Sequence, residues 1–270
     1  MSGAKGHPGS ATATYGDAPG YDAYMGRWSA ALAPPFVRFA CLSNPKSVLD
    51  IGCGTGNLLA AVCVEFPEAG LVGIDPSHAL LDRTRARADL AGVELVEGAD
   101  LSVFKGATFD ACLSLLVLQE FSDLPEVLRQ MRRVTRSGGV VAACQWDFAA
   151  MPVIAALVEA IASVDAATGA RLAVRAPGLI ADEGELAREW SLAGFAGVST
   201  TRIRVVQEYP DFDAVWRPLL AGSTPSTLAL ARLPAVQQAS VREHMLSRLV
   251  LPAEAPIRLM AEALAVRGEA

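Results

Sequence analysis

The run Val48-Leu49-Asp50-Ile51-Gly52-Cys53-Gly54-Thr55-Gly56-Asn57 constrains this chain more than any other stretch. It begins as an apolar, β-like segment, sets one carboxylate near its end and then has glycine at every second position. Leu58-Leu59-Ala60-Ala61-Val62 follows as a good helix start. Strand, glycine turn and helix in that order form a nucleotide-binding element, because missing Cβ atoms let a ligand lie against the backbone. The spacing narrows the ligand. A dinucleotide fingerprint, G-x-G-x-x-G, counted from Gly52 needs glycine at position 57, where Asn57 stands; the third glycine comes one residue early, at Gly56. Asp50 has no place in the dinucleotide pattern and suits a ligand that carries a positive group near the turn.

A chain of 270 residues can bury a sizeable core and fits one enlarged α/β domain. Apolar residues make up 52%, charged residues 19%, and the net charge is −6, the profile of a soluble globular protein. The acidic balance argues against nucleic acid, whose binding calls for a basic face. Arg83, Arg85 and Arg87 form a local basic cluster on a predicted helix and read as a solvated face. The five cysteines (Cys41, Cys53, Cys63, Cys112, Cys144) include no C-x-x-C and no histidine-paired spacing. They read as reduced, mostly buried thiols of a cytoplasmic protein, with no zinc site. The N-terminus lacks the apolar core of a signal peptide. The longest apolar run, Phe148 to Val158, is too short for a membrane span and contains Pro152.

In chain order, residues 1–18 are a small-residue tail of low hydrophobicity, expected to be flexible. The aromatic run Tyr21-Asp22-Ala23-Tyr24-Met25-Gly26-Arg27-Trp28-Ser29 precedes a helix expected from Leu32 to about Leu42, with Pro34-Pro35 near its start. It serves either as core anchors or as a lid. The glycine-turn strand is Ser47–Ile51, with its helix running to about Phe66. Gly70-Leu71-Val72-Gly73-Ile74-Asp75 is a second strand, and Asp75 follows Gly56 at about the ~20-residue interval of an acid that reaches a nucleotide ribose. Ser77 is an expected N-cap for a helix from Ala79 to Leu90. A third strand, Val93–Glu97, leads into Gly98-Ala99-Asp100-Leu101. A fourth, Thr108–Phe121, is apolar along its length, as a parallel strand covered on both faces must be. A helix from Glu126 to Arg136 and a fifth strand, Val140–Trp146, follow. These alternations predict a Rossmann-like, doubly wound parallel sheet.

Four of these positions, in this order, resemble the cofactor contacts of the class I S-adenosylmethionine-dependent methyltransferases, whose first motif is D-x-G-x-G-x-G. The similarity extends over roughly residues 20 to 148 and includes F-D-A-x-x-S at strand four. Within the family it is most similar to small-molecule types, including the quinone-biosynthesis C-methyltransferase group. The resemblance implies a seven-stranded sheet, mostly parallel with an antiparallel last strand, and S-adenosyl-L-methionine as cofactor. It implies that Asp50, Gly52, Cys53, Gly54, Gly56 and Asn57 hold the methionine end and that Asp75 and Pro76 meet the ribose. Ala99, Asp100 and Leu101 then meet the adenine, with Leu116 on strand four and Tyr24 and Arg27 on an N-terminal lid completing the set.

Beyond Asp147 the pattern thins. Helices are expected over Pro152–Thr168 and Asp182–Ala193, strand six over Val198–Val206, and short helices over 210–252, broken by Pro218, Pro225 and Pro234. Pro256–Arg267 alternates poorly but resembles the family's antiparallel seventh strand. Residues 19–209 and 253–270 are then the methyltransferase core, and 210–252 a helical cap inserted over the acceptor.

Methyl transfer from a sulfonium is an in-line displacement that a protein accelerates mainly by positioning and by excluding water. A base is optional. Candidates are Asp147 just past strand five, His244 in the cap, and Tyr21; Tyr21, Gln119, Trp146 and Trp216 are candidates for acceptor contacts. The N-P-P-Y tetrad of nitrogen methylation is absent after strand four, where Ser114-Leu115-Leu116-Val117 stands, and no Pro-Cys pair exists for pyrimidine chemistry. A small organic acceptor, as in secondary metabolism, is the class that remains. Two alternatives stay open: an NAD(P)-dependent oxidoreductase, which leaves Asp50 and Asp100 without a role, and a cofactor-binding partner protein without catalysis. Acceptor identity, the atom methylated and oligomeric state are not legible.

Overall fold

Seven strands form one sheet: β1 (Ser47–Ile51), β2 (Gly70–Asp75), β3 (Glu94–Glu97), β4 (Phe109–Leu115), β5 (Thr135–Trp146), β6 (Ala196–Tyr209) and β7 (Ile257–Glu269). Their order is β3-β2-β1-β4-β5-β7-β6. The first five pair in parallel, while β7 runs antiparallel to both neighbours, β5 and β6. The computed structural model describes residues 22–121, 123–173, 180, 182–222, 224–249 and 256–270. The predicted tail 1–18 and Tyr21 lie outside them.

The helices are α1 (Arg27–Ala40), α2 (Asn57–Glu65), α3 (His78–Arg85), α4 (Leu124–Val134), α5 (Pro152–Val164), α6 (Ala166–Leu172), α7 (Glu183–Leu192), α8 (Phe212–Leu219), α9 (Pro225–Arg232) and α10 (Ala235–Leu249). Polar side chains start several of them, as the sequence suggests. Ser77 accepts from the Leu80 N–H, Asp123 from Glu126 and Asp182 from Glu185. Helices cover both faces of the sheet, so alternate residues of one strand enter different cores. Leu49 and Ile51 belong to one cluster with Trp190 and Leu128, while Val48 belongs to the other, with Trp28, Phe36 and Leu157.

Three expectations about elements are corrected. The N-terminal helix begins at Arg27, not Leu32, and Pro34-Pro35 sit inside it. Each proline removes a helical N–H and normally breaks a helix; here Trp28, Leu32, Phe36 and Ala40 form a stripe at 2% exposure or less that holds it together. The predicted helix Ala79–Leu90 ends at Arg85 and resumes as a 3-10 turn, Ala88–Leu90. Strand four ends at Leu115, because Leu116 takes a left-handed φ of 66° and a 3-10 turn follows over Leu118–Glu120. The poor alternation of the last strand has a physical cause. From Ala263 to Val266 every residue of β7 is buried, since the strand lies between two others with both faces covered.

Candidate cofactor and acceptor site

The glycine turn projects from β1 at the carboxyl end of the parallel strands, where ligands of open α/β sheets bind. It is fixed from below. The N–H groups of Gly52 and Cys53 donate to the Ile74 carbonyl at 2.8 and 3.2 Å, and the Thr84 hydroxyl donates to the Gly54 carbonyl at 2.7 Å. Gly52, Gly54 and Gly56 all have positive φ (70°, 53° and 81°). At Gly52 the need for glycine is twofold, since a Cβ there would meet the Val117 side chain at 2.5–2.9 Å.

Asp50 is 1% exposed, and neither carboxylate oxygen has a hydrogen-bond partner. Burial, and next the charge of Asp75, push its pKa well above the ordinary carboxylate range. A buried carboxylate without a partner is costly. A cationic ligand group beside it removes that cost, and an α-ammonium is such a group.

Asp75 stands at the tip of the adjacent strand. Its two oxygens accept from the Gly54 N–H at 2.9 Å and the Ser77 N–H at 2.8 Å. Burial raises its pKa, opposed by those two hydrogen bonds. Each oxygen keeps a lone pair that can take a ribose hydroxyl. Pro76 beside it is exposed.

At the third strand tip, the Gly98 N–H donates to the Asp75 carbonyl at 3.0 Å, which carries the loop Ala99-Asp100-Leu101 alongside. Asp100 is exposed and caps the turn that follows, accepting from the N–H and hydroxyl of Ser102 at 2.8 and 2.6 Å. Leu101 is buried. The three predicted acids therefore occupy the ends of β1, β2 and β3, neighbours in the sheet.

Other predicted residues have packing or linking contacts. Cys53 is buried in the turn, and burial followed by Asp50 and Asp75 pushes its thiol pKa far up, so it stays protonated. The Asn57 side chain joins three segments: its amide donates to the Gly26 carbonyl and the Ser29 hydroxyl, and its carbonyl accepts from Arg87 at 3.0 Å. Arg87 also donates to the Thr55 carbonyl at 3.0 Å. It is thus half-buried behind the turn, which corrects the reading of that basic cluster as a wholly solvated face. Leu116 is buried; its N–H donates to the Cys144 carbonyl, and its carbonyl accepts from Gln119.

Of the two described candidate bases, Asp147 is engaged in an ion pair, whereas His244 Nε2 is buried without a hydrogen-bond partner. Asp147 accepts from Arg202 at 2.6 Å, and that guanidinium also reaches Glu183 and Glu262. His244 lies on α10, which packs on α5, with Nε2 3.6 Å from Glu159. Trp216 is buried on α8 and stacks on Phe212 at 6.3 Å.

The N-terminal segment continues the site beyond β4 and β5. Tyr24 is buried with its hydroxyl unpartnered, and Arg27 lies 4.8 Å from the Tyr209 ring centre. Trp28 meets Trp146 edge-on at 6.4 Å, and its indole is hydrogen-bonded to the Tyr209 hydroxyl. Trp28 and Tyr209 were not foreseen. The aromatic run containing Trp28 was a usable signal, whereas nothing in the local sequence ties Tyr209 to that run. Among the described residues, no group of three or more His, Cys, Asp or Glu side chains is arranged to hold a metal. No helix among them is long and apolar enough to cross a membrane.

The chain is similar in sequence and fold to known methyltransferases. A methyltransferase-domain family model matches residues 49–143. A malonyl-[acyl-carrier protein] O-methyltransferase of Dechloromonas aromatica is 31% identical over 66% of this chain and 62% of its own length. A trans-aconitate 2-methyltransferase of Methylobacterium radiotolerans is 32% identical over 41% of this chain and 42% of its own. The chain thus spans between two fifths and two thirds of these relatives. In fold, a geranyl diphosphate C-methyltransferase from Streptomyces coelicolor, solved with S-adenosyl-L-homocysteine, superposes with a TM-score of 0.52 over 91% of this chain and 81% of that one, at 13% identity. Residues 49–143 of this chain thus match the methyltransferase-domain family, and the chain is similar in sequence and in fold to methyltransferases.

Proposed function

We propose that this protein transfers a methyl group from S-adenosyl-L-methionine to a small organic acceptor. The observation that carries the reading is Asp50, a carboxylate at 1% exposure with both oxygens unpartnered, beside a glycine turn. Asp50 takes the ammonium of the methionine part, the turn lies against its chain, Asp75 takes the ribose hydroxyls, and Asp100 with the Leu101 N–H reads the adenine edge. Bound there, the cofactor supplies a methyl group on a positively charged sulfur, ready for in-line displacement. The protein's part is to align the acceptor and exclude water, on the order of 7–11 kcal/mol at best. With Asp147 held by Arg202, no side chain described here is assigned as a base.

The helices α8–α10, within the predicted 210–252 insertion, act in this reading as a cap over the acceptor side. The acidic balance and unpaired thiols, of which Cys53, Cys112 and Cys144 are buried and Cys41 is exposed, support a cytoplasmic setting with no nucleic-acid or membrane partner. The relatives' names support a small or carrier-borne acceptor. Calorimetric titration with S-adenosylhomocysteine and, separately, NADH tests the assignment. Binding of the nucleoside alone is expected, and binding of NADH alone reverses it.

A further inference from the structure

Among the described residues, four buried polar atoms outside the three strand-tip acids have no hydrogen-bond partner. One, His244 Nε2, lies on α10 with Glu159 3.6 Å away; the others are the Tyr24 hydroxyl, Trp146 Nε1 and Gln119 Oε1, on residues of which the first two are 5% and 1% exposed. Folds rarely leave such atoms unsatisfied unless a ligand completes them. Their position follows from sheet topology. In the methyl-transfer reading the cofactor runs from β1 over β2 to β3, whereas Trp146 ends β5, two places from β1 on the other side.

The register fixes the face as well. Asp50 pairs with Leu113 on β4, and Leu113 with Ala142 on β5. Residues in register point to one face, so Asp50, Ala142 and, by alternation, Trp146 all face α1. Tyr24 reaches the same place from above. It lies beside Tyr209, whose hydroxyl meets Trp28, which in turn packs edge-on against Trp146.

Resting on the methyl-transfer reading, we propose that Tyr24 and Trp146 form the acceptor seat, binding a neutral hydroxyl or carbonyl oxygen of an otherwise apolar, aromatic-sized acceptor. Both groups are neutral hydrogen-bond donors. Their neighbours Trp28 and Tyr209 are aromatic, and the buried charge on this face, Asp50, is negative. Arg27 contributes a guanidinium only at the exposed rim, over Tyr209. A carboxylate buried against Tyr24 and Trp146 would lack a cation, at a high desolvation cost. The seat holds the acceptor by an oxygen that does not react, since donated hydrogen bonds weaken a nucleophile. Gln119 Oε1 is left to accept from the acceptor's own hydroxyl.

The test uses the full chain with Tyr24→Phe and Trp146→Phe. Tyr24→Phe removes one unpartnered atom, so a folded protein of parental melting temperature is expected even if Trp146→Phe folds poorly. Calorimetry measures S-adenosylhomocysteine first, then 4-hydroxyacetophenone and 4-hydroxybenzoate against the nucleoside-loaded proteins. Tyr24 thereby passes from the cofactor set that the family resemblance implied to the acceptor side, so nucleoside affinity is expected to stay within about twofold of the parent. Affinity for the ketone should fall about 3–10-fold in each variant, the loss of one neutral hydrogen bond. In the parent the benzoate should bind more weakly than the ketone.

A parent that does not bind the nucleoside sinks the methyl-transfer reading itself. Retained nucleoside binding with no ketone binding, or with tighter benzoate binding, overturns the seat alone. Variants that lose the nucleoside but keep the ketone assign these donors to the cofactor and also overturn it.

Discussion

Asp50 concentrates the chemistry of this fold in one side chain. Its raised pKa means that the folded protein holds a proton that the unfolded chain releases, between the ordinary carboxylate range and the raised value. Folding stability without ligand therefore falls as pH rises through that window. Asp50→Asn removes the cost of either burying that charge or taking up that proton, so the ligand-free variant should be more stable at neutral pH by about 1–3 kcal/mol in urea denaturation. The same change should weaken S-adenosylhomocysteine binding about 10–100-fold, the loss of a charged hydrogen bond. In the parent, an arriving ammonium favours the ionised carboxylate, so affinity should rise with pH across the window and a proton should be released. Titrations in buffers of different ionisation enthalpy read that proton directly; a parent with no proton release would contradict the role given to Asp50. At Gly52, alanine would need both a left-handed φ and room now filled by Val117. Gly52→Ala should cost about 2–4 kcal/mol, and adding Val117→Ala should recover the steric part but not the backbone part.

At the scale of elements, the N-terminal segment is tied to the glycine turn by Asn57, which links α2 to Gly26 and Ser29. Asn57→Ala should cost about 1–2 kcal/mol and speed amide exchange in residues 22–29 more than in β1, a pattern that a purely local role for Asn57 would not produce. Strands β1, β2 and β4 were legible because each is an apolar run bounded by glycine or acid. The start of α1 was not, because Pro34-Pro35 is a strong local stop signal and only the tertiary stripe from Trp28 to Ala40 overrides it. Nor was the end of β4, since the positive φ of Leu116 has no marker in a run of leucines and valines. The candidate site divides the same way. Spacing marked Asp50 and Asp75, and the family resemblance marked Asp100; all three lie at adjacent strand tips. The ion pair that occupies Asp147 depends on Arg202, far along the chain, and the unpartnered hydroxyl of Tyr24 depends on packing that no periodicity encodes.

Over the whole molecule, the sheet divides the labour. One half, β1 to β3, presents carboxylates at its tips. The other, β4 to β6, presents aromatic side chains under α1 and the helices that follow β6. The two halves differ in how deeply they are packed. Strands β1 and β4 and residues 141–146 of β5 are buried on both faces, whereas α10 buries only Val241 and Met245. Native-state hydrogen exchange should show α10 opening at lower free energy than β4, as a layer that admits an acceptor requires. Equal protection of the two would contradict a cap that moves. Calorimetric titration of S-adenosylhomocysteine into the parent, Asp75→Ala and Asp100→Ala tests most directly whether acids at successive strand tips grip one sulfonium nucleoside. The expected result is tight binding to the parent and about 10–100-fold weaker binding to each variant; variants that bind as tightly as the parent would contradict it.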